Sequence, residues 1–416
     1  MATKSAIIPA RSIRENEHQP RFTGRRLVLL NRAAKTSLIT SQAKKASLRL
    51  ASSADFSASK SGDFLTNALL QADGIVFDTL KVALLNEALD EPLNHLMASS
   101  STAKNFLKTE PERFLYALMA GKKKSRQVLF TDNSTATWAI QATHVLSSSK
   151  NGKGVRMAIL DTGIDTGHPD LKLRIKGKKT FVQGQQVLDL NGHGTHCAGL
   201  VAGFQHATRK FRYGVAPEAA LYIAKVLSND GVGTDSSILA GIEWALQNKC
   251  RVISMSLGGA TLPNESYSAV YESVAAEALA NNCLIIAAAG NESQRSLNKI
   301  APVGHPANCP SIMAVGALTA TLGIADFSCG GLNENGGQVD ISAPGENIWS
   351  TWKNKGYRRE SGTSMATPIV AGIASLLLQG SSETTAAGIW MKLTQTAKRL
   401  PIPASDTGAG LVFCRD

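Results

Sequence analysis

Residues 252–257 read Val252-Ile253-Ser254-Met255-Ser256-Leu257, and residues 284–289 read Leu284-Ile285-Ile286-Ala287-Ala288-Ala289. Each is a short, nearly unbroken apolar run, the pattern of a strand covered on both faces. A helix is expected between them at 267–281. Another is expected at 237–248, where apolar residues at 238, 239, 242, 245 and 246 form one buried stripe. Working outward, strands are expected at 155–160, 220–226, 312–316 and 339–342, with helices at 193–202 and in a run reaching residue 379. Buried strands alternating with amphipathic helices predict a three-layer α/β fold, a mostly parallel sheet of about seven strands with helices on both faces. In such sheets functional residues gather at the carboxyl ends of the strands.

The chain has 416 residues, 43% hydrophobic and 18% charged, a globular composition with material for more than one domain. Residues 1–24 read as a polar tail and 25–120 as a small α+β domain, with strand material at 26–30, 74–77 and 80–85 and helices near 64–71 and 89–97. Gly121 is followed by Lys122, Lys123, Lys124 and Arg126, the mark of an exposed linker over 121–135. The α/β domain occupies 136–416. Of the net charge of +12, +8 falls in residues 1–135. The basic residues are not interleaved with aromatics and no nucleic-acid module is present, so no nucleic-acid partner is expected. No apolar run reaches eighteen residues, and the first, Leu27 to Leu30, is too short for a secretory signal. No membrane association is expected. A cytoplasmic location is the default, with export lacking a signal left open. The six cysteines include no C-x-x-C pair, which excludes the common zinc patterns. Cys250 and Cys283 each precede a strand and lie close together if those strands are neighbours, but free thiols are the expected state.

Three polar residues stand out against this frame. Ser364 lies in Glu360-Ser361-Gly362-Thr363-Ser364-Met365-Ala366-Thr367-Pro368, at the start of a helix. Alone, it reads as an ordinary cap. Asp161 follows a strand in Leu160-Asp161-Thr162-Gly163-Ile164-Asp165, where an aspartate is most often a turn residue. His193 opens a helix in Asn191-Gly192-His193-Gly194-Thr195-His196-Cys197-Ala198-Gly199. His193 and His196 at i and i+3 also admit a metal reading, weakened because no third ligand is spaced nearby. The joint order changes the odds: Asp, then His 32 residues later, then Ser a further 171 on, each beside glycine. A serine hydroxyl needs a base to become a nucleophile, and the base needs a group to orient it.

The three segments resemble the signature segments of subtilisin-like serine proteases, in the order that family uses. The resemblance spans about residues 138–412. It implies a serine endopeptidase that hydrolyses peptide bonds through an acyl-enzyme, with Asp161, His193 and Ser364 catalytic and an oxyanion hole built from Asn291 and the Ser364 N–H. It further implies substrate-binding backbone at Gly231, Val232 and Gly233 and at Ser256, Leu257 and Gly258. Ala288, Ala289 and Gly290 would flank the oxyanion site. Gly304 would leave room for a large apolar or aromatic side chain. Cys197 is similar to the cysteine that the proteinase K branch places beside its histidine. Residues 25–120 resemble an inhibitor-type propeptide, implying a zymogen with autocatalytic cleavage within 121–135, the N-terminal domain acting as intramolecular inhibitor and protein or peptides as substrates. A monomer is expected. A pseudo-protease scaffold, a peptide ligase and an esterase remain as alternatives. No cofactor is required. Calcium is possible, but the basic, aromatic stretch 203–213 does not match the family's high-affinity calcium loop, although Asp170 matches its aspartate.

Overall fold

The computed structural model describes residues 19–56, 64–86, 90–100, 102–120, 129–204, 211–381 and 383–415. Most of the tail 1–24, most of the linker 121–135 and the centre of the 203–213 stretch lie outside them.

The C-terminal unit is built on seven strands: β6 (Arg156–Asp161), β7 (Ile175–Thr180), β8 (Ala220–Lys225), β10 (Val252–Met255), β12 (Leu284–Ala288), β13 (Met313–Leu318) and β14 (Ile341–Pro344). Their order across the sheet is β14-β13-β12-β10-β6-β8-β7, and every pairing is parallel. Both faces are covered, as the apolar runs predict. On one face Met157, Ile159, Val252, Leu284 and Ile286 pack with α5 (His193–Ala202) and α8 (Thr363–Leu378). On the other, Ala158, Leu160, Ile253 and Ile285 pack with α6 (Asp235–Gln247) and α7 (Ala269–Ala280). The short strands β9 (Val232–Thr234) and β11 (Leu257–Gly258) stand outside this sheet.

Strand β7 and a hairpin were among the elements not foreseen. Strand β7 reads Ile175-Lys176-Gly177-Lys178-Lys179-Thr180, an edge strand whose charge hides it from a search for apolar runs. The hairpin of β15 (Ile348–Trp352) and β16 (Gly356–Glu360) packs on α5 outside the main sheet.

The N-terminal unit has β1 (Phe22–Leu30), α1 (Thr36–Lys45), β2 (Leu50–Ser52), α2 (Phe64–Gln71), β3 (Gly74–Phe77), β4 (Val82–Leu85), α3 (Asp90–Ala98) and β5 (Phe106–Ala117). Helix α1 lies in a Ser/Ala/Lys-rich stretch with too few apolar residues to announce itself. The strands order as β5-β1-β4-β3-β2. Alternation along them sorts the side chains cleanly. Val28, Leu30, Val76, Ala83 and Leu85 face the unit's own helices. Leu27, Ile75, Phe77, Val82 and Leu84 join Ile238, Leu239, Tyr271 and Val274 of α6 and α7 in one core. The sheet is therefore a sandwich filling, closed on its second side by the other unit.

Candidate active site

Asp161 ends β6, an interior strand between β10 and β8, and its backbone oxygen accepts from Val226 and Leu227 N–H. A helix opening at His193 brings that imidazole to it: His193 Nδ1 lies 2.7 Å from Asp161 Oδ1, both fully buried. The approach is tight: a Cβ at Gly194 would stand 2.3 Å from the Gly163 carbonyl oxygen and 3.2 Å from the Asp161 Cβ. Burial alone would depress the His193 pKa, but the Asp161 charge and hydrogen bond outweigh it and hold the imidazole well above 6.5.

Asp189 and Lys225 were missed by sequence reasoning, and both brace this pair. Asp189 Oδ1 accepts from Thr162 Oγ1 (2.9 Å), Asn191 N (3.0 Å) and Gly192 N (2.7 Å), and Oδ2 from Thr195 N (2.8 Å) and Oγ1 (2.7 Å). One buried carboxylate thus ties the Asp161 turn to the start of α5. Its only signal was position, four residues before His193. Lys225, buried and opposite Asp161 in the strand register, donates to the Thr162 carbonyl and to Asn229 Oδ1. Desolvation lowers its pKa to about 8 against the pull of Asp189 and Asp161.

His196, the second histidine, is no partner for a metal. Its Nε2 donates to the carbonyls of Ile348 and Arg358, each at 3.1 Å, and burial followed by the His193 charge lowers its pKa to about 3. It is a neutral packing residue.

Ser364 is the second residue of α8. Its Oγ donates to the Ser256 carbonyl at 2.9 Å, while His193 Nε2 has no partner among the described residues. Pro368 lies four residues on and has no N–H to give the Ser364 carbonyl. Ser256 Oγ (2.9 Å) and the Cys197 thiol (3.6 Å) donate to that carbonyl instead. This is the structural work of Cys197, whose pKa burial pushes up, keeping it a protonated donor.

Asn291 Oδ1 accepts from Thr363 N and Oγ1, both at 2.9 Å, which turns its amide nitrogen inward. That buried Nδ2 has no partner among the described residues. It sits beside Gly362, where φ is +156° and a Cβ would strike the Leu118 carbonyl oxygen. Strand β5 explains the presence of Leu118. Leu115 and Tyr116 pair with Gly233 and Val232, and Tyr116 and Ala117 pair with Gly258 and Leu257, all antiparallel. Ala117 N–H donates to Gly231 O at 2.9 Å and Ala120 N–H to Ser361 O at 2.7 Å. Five of the six foreseen groove residues, 231–233 with 257 and 258, therefore meet one extended segment, while Ser256 bonds to Ser364, and Leu118 is buried within that segment. Ala288, Ala289 and Gly290 continue β12 toward Asn291. Gly304 N–H donates to Ala289 O (2.8 Å), and a Cβ at 304 would stand 2.8 Å from Gly259 O. Its missing side chain lets two backbone walls close together.

A paired carboxylate and imidazole, a serine hydroxyl at a helix start and an unpaired amide donor beside the Leu118 carbonyl are the groups that acyl transfer requires. The family model for the subtilase family matches residues 152–411. The chain belongs to the subtilase family. It is 40% identical over 263 residues to Subtilisin DY of Bacillus licheniformis, covering 63% of this chain and 90% of that one. Subtilisin E of Bacillus subtilis (strain 168) is also 40% identical over 263 residues, covering 63% and 65%. An Intracellular serine protease of Paenibacillus polymyxa is 41% identical over 245 residues, covering 58% and 71%. The chain is a subtilisin-like serine endopeptidase.

Calcium, which the family implies, does not fit the donors at Asp170 in this subtilase. Asp170 Oδ2 accepts from Tyr213 Oη at 2.5 Å and Tyr357 Oη at 2.9 Å, two hydroxyl donors where a hard cation needs several oxygen ligands. Trp349 stacks on Tyr357 and meets Tyr213 edge-on, closing the position with rings. Asp161, His193 and Cys197 offer three ligand atoms within 4.8 Å. Their hydrogen bonds already assign them to the carboxylate–imidazole pair and the Ser364 carbonyl. All six cysteines are free and buried, and burial, followed by the neighbouring Cys250, raises the pKa of Cys283. No helix among the described residues is long and apolar enough to cross a membrane.

Proposed function

We propose that this subtilase is made as a zymogen, with the N-terminal unit as an inhibitory prodomain, and that it cuts its own Leu118–Met119 bond. In this reading Ser364 attacks the carbonyl carbon while His193 Nε2 takes the hydroxyl proton, then gives it to the leaving amine. Asp161 holds the imidazole with Nε2 free as base and stabilises the imidazolium. The Asn291 amide and the Ser364 N–H stabilise the oxyanion. Loss of one such donor costs about 3–4 kcal/mol of transition-state stabilisation, a scale drawn from this same family. Water then releases the acyl group.

One observation carries the proposal: the segment 113–120 lies in the groove with the Leu118 carbonyl beside the unpaired Asn291 amide. This favours a bond earlier than the basic stretch 121–135. It also favours a leucine before the cut. Six buried thiols with no disulfide among the described residues suit a reducing compartment, and we place the working enzyme there.

Purified wild type is expected to yield a new N-terminus at Met119, read by intact mass, and to react with a serine-directed phosphonate. The Ser364→Ala chain should remain uncut. Wild type that neither shortens nor reacts would falsify the reading.

A further inference from the structure

We propose that the substrate groove extends to the sixth residue before the scissile bond and selects a basic side chain there through Glu265, with Asp235 holding the backbone. The proposal rests on the protease reading above. Counting back from Leu118, the sixth residue is Arg113. Its backbone N–H donates to Asp235 Oδ2 at 2.7 Å, and its Nη2 donates to Glu265 Oε1 at 2.7 Å. Both carboxylates belong to the C-terminal unit and stay in place when residues up to 118 depart.

Neither is a loose surface group. Asp235 is buried, and its Oδ1 accepts from His305 Nε2 at 3.0 Å. Glu265 Oε2 accepts from Leu262 N at 2.8 Å, and the turn beneath it closes through Glu265 N to Leu262 O at 3.0 Å. Asn333 locks that turn. Its Nδ2 donates to the Leu262 and Glu265 carbonyls at 3.1 Å each, and its Oδ1 accepts from Asn264 N at 2.9 Å. An acceptor fixed in advance loses little freedom when a ligand arrives.

The position is also in register with the chemistry. Residues 114–117 pair with β9 and β11, and a Cβ at Gly259 would stand 3.3 Å from the Phe114 carbonyl. A bound strand so constrained must bring its sixth residue to Glu265 whatever lies between. The Arg113 and Glu265 side chains are only 16% and 23% exposed. A charge-assisted bond there is worth more than a fully wet ion pair.

The test uses enzyme matured from the full chain, as wild type, Glu265→Gln and Glu265→Arg. Internally quenched peptides copy residues 113–120 with Arg, Gln or Glu at the first position, and a shorter one copies 115–120. Wild type should favour the Arg peptide over the Gln peptide by about threefold to fivefold in kcat/KM. The ratio should fall to about one in Glu265→Gln, and Glu265→Arg should prefer the Glu peptide. If wild type cuts the short peptide yet treats the long ones alike, or Glu265→Arg keeps the wild-type preference, the subsite is overturned and the protease reading stands. If even the short peptide is uncut, the protease reading falls and takes the subsite with it.

Discussion

Ser364 shows how one residue's chemistry is set by its neighbours' deficits. Pro368 withholds an N–H from the Ser364 carbonyl, and Ser256 and Cys197 supply the missing donors from two other segments. The same economy governs His193. Its pKa is raised because the Asp161 charge outweighs burial, so in the proposed reaction the imidazole serves as base only above that raised value. Activity and stability then run in opposite directions. The buried ion pair contributes stability fully below the ordinary histidine value of 6.5 and loses it as pH climbs through the raised value. The acid limb of kcat/KM should accordingly have its midpoint above 6.5. Asp161→Asn should move it down while lowering kcat on the order of 10⁴-fold. A pH–rate profile with an unshifted limb in both proteins would contradict the assignment. At this scale Asp161, His193, Ser364 and Asn291 stood out as candidates because each sits in a distinctive local sequence. Asp189 and Lys225 were not, because a buried carboxylate accepting five hydrogen bonds looks in sequence like any aspartate in a loop.

At the scale of elements, apolar runs and helical stripes gave the central sheet and its covering helices to within a few residues. They failed where an element is stabilised by something other than an apolar face. Strand β7 is half charged, and the β15–β16 hairpin is held by rings and by α5. That hairpin carries Tyr357, which with Tyr213 occupies the Asp170 carboxylate. Two tyrosine donors distant in sequence could not be paired with Asp170 by inspection. The clamp makes a definite expectation for metal removal. Chelation by EDTA should leave the thermal midpoint unchanged to within about 2 °C, since only a ligand that binds the folded state raises stability. Tyr357→Phe should cost about 1–3 kcal/mol in denaturant unfolding, because it removes one hydroxyl donor from a buried carboxylate. A midpoint that falls steeply with EDTA would mean that a cation shares the site.

Across the whole molecule, two kinds of contact join the units. Glu110 accepts from Ala269 N at 2.9 Å at the start of α7, and Glu112, fully buried, accepts from Ser236 N at 3.0 Å at the start of α6. Each carboxylate meets the positive end of a helix. Arg25 and Thr23 complete the Glu112 site at 2.6 and 2.7 Å. Apolar burial contributes more. Leu27, Ile75, Phe77 and Leu84 are almost fully buried in the shared core, at roughly 1.5–3 kcal/mol each for burial of this kind. Glu112→Ala should therefore loosen the N-terminal unit without abolishing its docking. The lag before activity in a progress curve should shorten several-fold, a weakening of about 1–3 kcal/mol. An unchanged lag would show that the helix-end contact does not limit release. The sequence predicts two units joined through 121–135; that one would lie in the groove of the other rested on likeness alone.

The two-sided burial of the N-terminal sheet has a further consequence for the proposed zymogen. Once severed, that fragment can leave only by carrying a bare apolar face into water. The association is a marriage that dissolves one partner on separation: the enzyme keeps its sheet covered by helices on both faces, while the fragment keeps a sheet covered on one side only. Release and collapse of the fragment then become a single event, and the resulting switch has no return stroke.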